Sequence, residues 1–390
     1  MMKRLKTLFG LWFLCSALVQ GALASESIRV PFSADRWSTQ GDIKFQKLEG
    51  FPNGLMESKG SAVLKGLVFS EGSIDLDVIF GGGIATIMFR RGEDEGEVLV
   101  LRPQPNCPAS NDCIQYTPFI NGAYLYDLYP QFQTQAPLSE KGWNHVHIVV
   151  SGKRMNVYLN GLSAPVLSVT RMEGNLARGG LRLSGHASWA NLVVAPDDTA
   201  RLSRLATPDL TASDARFVRS WALAASQAVP SIVDKKLDAP LGSLPVIAPA
   251  KLLGTRSISA ESNGLINLSR AVGSVKANEI TGVWLETQIL SDRDQVKHVD
   301  IGWVREVAVF VNGTSAYVDR NLYGVSALQK TPDGRISLEN GHFDMHLHKG
   351  SNRIQVFIDD NASGGHAFGW GLKMRFEDVS GIRLQASHRS

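Results

Sequence analysis

Two segments of this chain alternate apolar and polar residues and then run straight into Asn-Gly. In KRMNVYLNG, ending at Gly161, Met155, Val157 and Leu159 share one phase, and in VREVAVFVNG, ending at Gly313, Val307, Val309 and Val311 do the same. A period of two places those side chains on one face of a strand. Asn-Gly supplies the positive φ of a tight hairpin turn, so each segment predicts a hairpin. The two are far enough apart in sequence for two separate β-sandwiches.

The same alternation recurs throughout. SIDLDVIF sets Ile74, Leu76, Val78 and Phe80 against Ser73, Asp75 and Asp77, and HVHIVV and LRLSG follow the pattern. Turn formers separate these runs: Gly81–Gly83, Asn121-Gly122 and Ser151-Gly152. Short alternating strands with such punctuation predict an antiparallel sandwich from Ile28 to about Ala195, with Trp37 and Trp143 as core or rim anchors. PDDTARLSRLATP, residues 196–208, turns polar and predicts a linker. Residues 209–249 are mixed, and ARFVRSWALAASQAV fits a helix or a strand followed by a loop. Strands return at GVWLETQIL, VAVFVNG, RISLEN, FDMHLH, NRIQVFID and LKMRFED; in the last, Lys373, Arg375 and Glu377 oppose Leu372, Met374 and Phe376. The prediction is an all-β chain with domains at 25–195 and 209–390.

The N-terminus changes the reading of charge and compartment. Lys3, Arg4 and Lys6 precede LFGLWFLCSALV, and Ala22-Leu23-Ala24 follows, the three-part pattern of a secretory signal. The apolar run is too short to span a bilayer, and Leu14 before Cys15 argues against a lipoprotein. Cleavage is predicted after Ala24, giving a periplasmic or secreted protein without a transmembrane anchor. The leader carries three of the 40 basic residues and no acidic one, which leaves 37 of each sign. A neutral mature chain has no long-range field to draw in nucleic acid. Cys107 and Cys113 then remain, in the loop PNCPASNDC; in an oxidising compartment they predict a disulfide, a metal pair being the alternative.

Blocks of sequence suggest families. Phe69–Asp77 (F-x-x-G-x-I-x-x-D), IMFRR at 87–91, VLRPQ at 100–104, IQYTPFING at 114–122, WNHVHIVVSG at 143–152 and VYLNG at 157–161 stand in one order. Together they resemble the concanavalin A-like, laminin-G-like sandwiches of the lectin and glucanase group, closest to the 3-keto-disaccharide hydrolase-type branch. GLINLSR at 264–270, VFVNG at 309–313, HKGSNRIQV at 348–356 and FGWG at 368–371 resemble a galactose-binding-like jelly roll. The resemblance implies two jelly-roll sandwiches and a carbohydrate ligand.

The resemblance brings Arg90, Glu97, Arg102, Gln115, Tyr116, Asn121 and Tyr126 onto neighbouring strands and loops of one sheet. Amides, carboxylates and guanidinium groups suit sugar hydroxyls, and an aromatic ring suits the apolar sugar face. The bland alternative is a structural network with Arg90 paired to Glu97. Asp75 and Asp77 project from one strand face and are similar to the acidic strand of retaining glucanases, but Val78, Ile79 and Phe80 follow where a further Glu is needed; two solvated aspartates explain them more simply. His342, Asp344, His346 and His348 alternate on one strand, as do His145 and His147, and solvated faces are preferred to metal sites. Asn312, Asn321, Tyr323, His366 and Trp370 could line a second sugar site, with Trp370 favoured as a core plug. Sequons occur at Asn267, Asn312 and Asn361. No GxSxG, Walker A, HExxH or CxxC motif occurs, and no cofactor, metal or catalytic residue is assigned. The preferred expectation is glycan binding without catalysis. The alternatives are a glycoside hydrolase acting on 3-keto-glycosides or β-glucans, and an envelope scaffold for a protein partner.

Overall fold

The computed structural model describes residues 26–229, 251–273, 280–324, 330–360 and 368–385. The leader, His366 and Asn361 lie outside the described residues. The chain is all-β, its strands paired antiparallel throughout. The longer strands are β1 (Trp37–Leu48), β2 (Phe51–Leu64), β3 (Gly72–Arg91), β4 (Gly96–Leu101), β5 (Ile114–Ile120), β6 (Asn144–Ser151), β7 (Arg154–Leu159) and β8 (Gly180–Pro196). They are followed by β9 (Ile280–Ser291), β10 (Gln295–Trp303), β11 (Arg305–Val311), β12 (Thr314–Asn321), β13 (Gly341–Leu347), β14 (Gly350–Asp359) and β15 (Gly371–Phe376).

Residues 28–196 form one 12-stranded sheet in which β7, β6, β3, β8, β2 and β1 lie side by side, while β4 pairs with β3 and β5. This sheet folds over on itself where its long strands bend. Gly41 of β1 sits opposite Gly60 of β2, Gly60 opposite Gly185 of β8, and Gly185 opposite Ala85 of β3. Gly41 and Gly185 have φ of +93° and +120°, which side chains rarely tolerate, and a Cβ at Gly60 would collide with the Gln40 carbonyl. The row of small residues is a crease across four strands. On one side of it Ile74, Leu76 and Val78 of β3 face the core; on the other Ala85, Ile87 and Phe89 do.

The C-terminal strands form an eight-stranded sheet, with β9, β14, β11 and β12 in that order, and a four-stranded sheet, β15-β10-β13 with Ile266–Asn267 at its edge. One apolar core fills the space between them, drawing Val283, Val309 and Val356 from the first and Ile301, Met345 and Met374 from the second. That is a second sandwich. The one α-helix among the described residues, Leu268–Val272, is a single short turn capped by the Asn267 side chain. No helix among them is long and apolar enough to cross a membrane.

The Asn-Gly turns divide. Asn312-Gly313 and Asn121-Gly122 join directly paired residues, Val311 with Thr314 and Ile120 with Ala123, with all four φ positive. Asn160 and Gly161 also have positive φ, but the chain after them runs on to Leu167 before pairing again, so this turn opens a wider loop and not a tight hairpin. The Asn160 carboxamide accepts from the His145 amide and donates to Pro137 O, which holds the loop against other strands. RISLEN is not a strand. The Ile336 amide donates to Asp127 O across to the N-terminal sandwich, and Asn340 Oδ1 accepts from the Ser337 amide, a local bond that competes with sheet pairing. In the mixed region Ser220–Leu223 and Gln227–Val229 are strands. Trp37 is buried, with its indole donating to Pro31 O, while Trp143 lies at the rim against Phe51.

The two sandwiches share a contact layer. Leu265, Val304 and Ile336 join the N-terminal core, Asn121 Nδ2 donates to Ser269 O at 2.9 Å, and Asn267 donates to the Tyr129 hydroxyl.

Candidate functional site

The strand β4 has both faces covered. Leu99 and Leu101 point into the N-terminal core, and Val98 and Val100 point outward into a smaller cluster with Met88, Phe119 and Tyr126. Tyr124 stacks on Tyr126 with centroids 5.2 Å apart, and Phe368 of the C-terminal sandwich packs edge-on against Tyr126 at 4.7 Å. At the margin of this cluster lies an open cavity of about 250 Å³. Arg102, Asp112, Tyr126 and Asp127 line it from one side and Tyr323, Arg335 and Phe368 from the other, with Gly83 and Ile84 at one end.

Each polar group here is held by neighbours. Arg102 donates to Gln115 Oε1 at 2.7 Å and to Asp112 O at 3.2 Å, and its guanidinium lies 5.1 Å from the Tyr126 ring centre. Gln115 is fully buried behind it and donates to Tyr126 O. Gln133 donates to the same Gln115 oxygen, which fixes the amide orientation. Asp112 rides on the loop closed by the Cys107–Cys113 disulfide, whose sulfurs are 2.06 Å apart. Arg335 approaches Asp112 at 3.7 Å and lies 5.4 Å from the Tyr323 ring centre. Burial pulls the Arg102 pKa below its ordinary value, with Arg335 adding repulsion against the pull of Tyr126 and Asp112. Its usual value is so high that the group stays charged.

Beneath the cavity Asp127 accepts from Arg305 Nη2 at 3.0 Å, both side chains almost wholly buried. Burial pushes the Asp127 carboxyl up to about 6, against the pull of Arg305 and Arg335. The Arg305 backbone has φ of +86°, and its buried Nε has no hydrogen-bond partner among the described residues. The pair ties the sandwiches together, since the Asp127 amide also donates to Phe368 O.

The seven residues expected to form one sugar groove do not meet in one. Arg102 and Tyr126 line the cavity and Gln115 backs it. Glu97 and Tyr116 are fully buried in the sandwich, where Tyr116 donates to Glu97 Oε2 at 2.6 Å and accepts from the Glu173 amide. Burial raises the Glu97 pKa. Arg90 is not hydrogen-bonded to Glu97; it donates to Ser70 O and Gly152 O. Asn121 occupies the hairpin turn against the short helix. In the C-terminal set, Tyr323 reaches the cavity. Asn321 is buried between Trp303 O and Arg335 O, Asn312 is a turn residue bonded to Asn352, and Trp370 is a core side chain donating to Gly273 O.

The outer carboxylates have partners that sequence inspection missed. The pairing of β3 with β6 sets Asp75 beside His147 and Asp77 beside His145. His147 Nδ1 lies 2.6 Å from Asp75, His145 Nδ1 2.7 Å from Asp77, and Asn191 donates to Asp77. Hydrogen bonds from both histidines hold Asp75 at about 2 against the cost of its burial, and the Asp77 pKa is lowered too. Neither carboxyl keeps a proton near neutral pH, as a general acid must. His342, Asp344, His346 and His348 are exposed on the outer face of β13 and just beyond it. Among the described residues no group of three or more His, Cys, Asp or Glu is placed to hold a metal ion.

No family model and no curated protein sequence matches the chain. Solved structures do. A carbohydrate binding module, CBM66, from Bacillus subtilis is similar at 17% identity, covering 41% of this chain and 95% of that one, with a TM-score of 0.30. A Bacillus subtilis protein of unknown function with a galectin-like fold is similar at 14% identity, covering 44% and 95%, with a TM-score of 0.31. A Bacillus licheniformis β-glucanase is similar at 10% identity, covering 44% and 98%, again with a TM-score of 0.31.

Proposed function

We propose that this is a secreted or periplasmic carbohydrate-binding protein that takes one sugar residue into the cavity between its two sandwiches. The observation that carries this reading is the convergence there of three aromatic rings, Tyr126, Tyr323 and Phe368, with two guanidinium groups and the Asp112 carboxylate. Rings offer an apolar face, and Arg and Asp offer fixed donors and acceptors, the combination that a pyranose needs. Ligand pockets commonly measure ~300–1,000 Å³, so a cavity of about 250 Å³ suits a single ring rather than a long chain. The concanavalin A-like and galactose-binding-like resemblances and the N-terminal leader support the same reading. The test is titration calorimetry of the mature protein with a panel of monosaccharides and disaccharides. Binding of one of them should weaken about tenfold in Tyr323→Ala, an exposed ring whose loss leaves the core intact. A panel with no binder at millimolar concentration refutes the proposal.

One observation favours a hydrolytic alternative: the cavity holds two carboxyl groups, Asp112 and Asp127, and the second titrates near 6. Glycosidases use one carboxylic acid and one carboxylate. Turnover of 3-keto-glycosides or β-glucans that vanishes in Asp112→Asn would establish it, and the absence of turnover would remove it.

A further inference from the structure

The outer face of the four-stranded sheet holds a second, polar cleft of about 670 Å³, which closes against the turn at Pro130 and Gln131 of the N-terminal sandwich. Lys373 on β15 lines it and is only 5% exposed. Long charged side chains are seldom buried unless paired, because an unpaired buried charge carries a large desolvation penalty. Yet among the described residues no hydrogen bond or ion pair reaches the Lys373 ammonium. Its cross-strand neighbour on β10 is Gly302, which has no side chain to offer, and a Cβ there would collide with the Ser337 carbonyl of the loop crossing above.

The nearby acids are already engaged. Asp300, beside Arg375 in the sheet, accepts from the Arg375 guanidinium at 2.6 and 3.1 Å. Asp209 attracts Lys373 from a distance, but it accepts from Arg219, Thr211 and the Asn263 amide. Asp214 is taken by Arg216. Glu339 and His342 stand at the exposed rim. The cleft therefore offers an ammonium without a counter-ion, with a guanidinium two residues along the same strand face.

We propose that this cleft is a binding site for an anionic group, a carboxylate, sulfate or phosphate, received by Lys373 with Arg375 beside it. The anion supplies the missing partner, in charge-assisted hydrogen bonds that are the stronger kind. A linked proton accompanies it. Burial pulls the free Lys373 pKa down to about 8, and a bound anion raises it again. Affinity is then level below pH 8 and falls as the pH rises above it.

The experiment is titration calorimetry of the mature protein with sodium sulfate, sodium phosphate, sodium glucuronate and glucose, against sodium chloride at matched ionic strength. Sulfate or glucuronate should bind saturably, and Lys373→Met should weaken that binding at least about tenfold. Methionine matches the lysine stem, so the variant should keep or raise the thermal midpoint; Arg375→Gln, expected to weaken binding less, serves if it does not. Tighter binding of glucuronate than of sulfate identifies an acidic sugar as the ligand, and equal binding identifies the free anion. The fall in affinity above pH 8 should persist in a His342→Gln background. Tyr323→Ala should leave anion binding unchanged, which separates this site from the cavity between the sandwiches. No saturable anion binding, or equal binding by wild type and both variants, overturns the proposal.

Discussion

Replacing Arg305 by methionine strands the Asp127 carboxylate in the layer between the sandwiches. Even with its partner present the carboxylate is costly there. The folded pKa of about 6 lies above the unfolded value of 3.8, so stability is lost as the pH rises from about 4 to 6, by about 3 kcal/mol in all. The pull of Arg305 therefore offsets only part of the cost of burying this carboxylate, in keeping with the high desolvation cost of such pairs. Removing one partner is worse, and a loss of about 3–5 kcal/mol is expected at pH 7. At pH 5 the stranded carboxyl can take up a proton, so the loss should be markedly smaller. Methionine at position 305 keeps the strain of a side chain at φ of +86°, so the change in charge is isolated; Arg305→Gly would relieve that strain as well. Arg305→Met with Asp127→Leu removes both charges and should restore much of the loss, a coupling of about 2 kcal/mol or more. The assay is equilibrium urea unfolding followed by tryptophan fluorescence at pH 5 and pH 7. Equal losses at both pH values, or strict additivity in the double variant, would refute the reasoning.

Tyr116→Phe should cost about 1–3 kcal/mol in the same assay, because Glu97 loses its donor and the Glu173 amide its acceptor, while sugar affinity stays within about twofold. A large fall in affinity in a folded variant would instead give Tyr116 a direct role in binding. Hydrogen bonds that the His145 ring donates to Asp75 and Asp77 raise its pKa from 6.5 to about 9. A raised histidine stabilises fully below pH 6.5 and loses that contribution as the pH rises to 9; with its side chain 47% exposed the effect should stay below about 1 kcal/mol. His145→Asn should therefore be less stable than wild type at pH 5.5 and equal to it above pH 9, and an NMR titration placing the imidazole at or below 6.5 would contradict this.

Much of the fold could be read from period-two alternation. Met155, Val157 and Leu159 do face the core, as do Leu372, Met374 and Phe376. The same rule placed Lys373 on the opposite face but could not show that this face is covered. It also held the answer for Glu97, which shares its phase with the core residues Leu99 and Leu101 and must point inward with them. Its charge alone puts Glu97 with the candidate sugar-binding groups; its phase puts it inside the sandwich. Arg102, Tyr126 and Tyr323, all named from sequence, do line one cavity, although its two halves belong to different sandwiches. Asp127 and Arg305 stand 178 residues apart, and no local pattern links them. The Asp75–His147 and Asp77–His145 contacts follow from one strand register, which periodicity leaves open.

The crease through Gly41, Gly60, Gly185 and Ala85 has a kinetic consequence. Because four paired strands cross it unbroken, neither layer of the N-terminal sandwich can form as an independent piece with the other added later. Bringing β1, β2, β8 and β3 into register commits the chain to both layers at once, through pairings as distant in sequence as Gly60 with Gly185. Such distant closures make assembly slow and all-or-none.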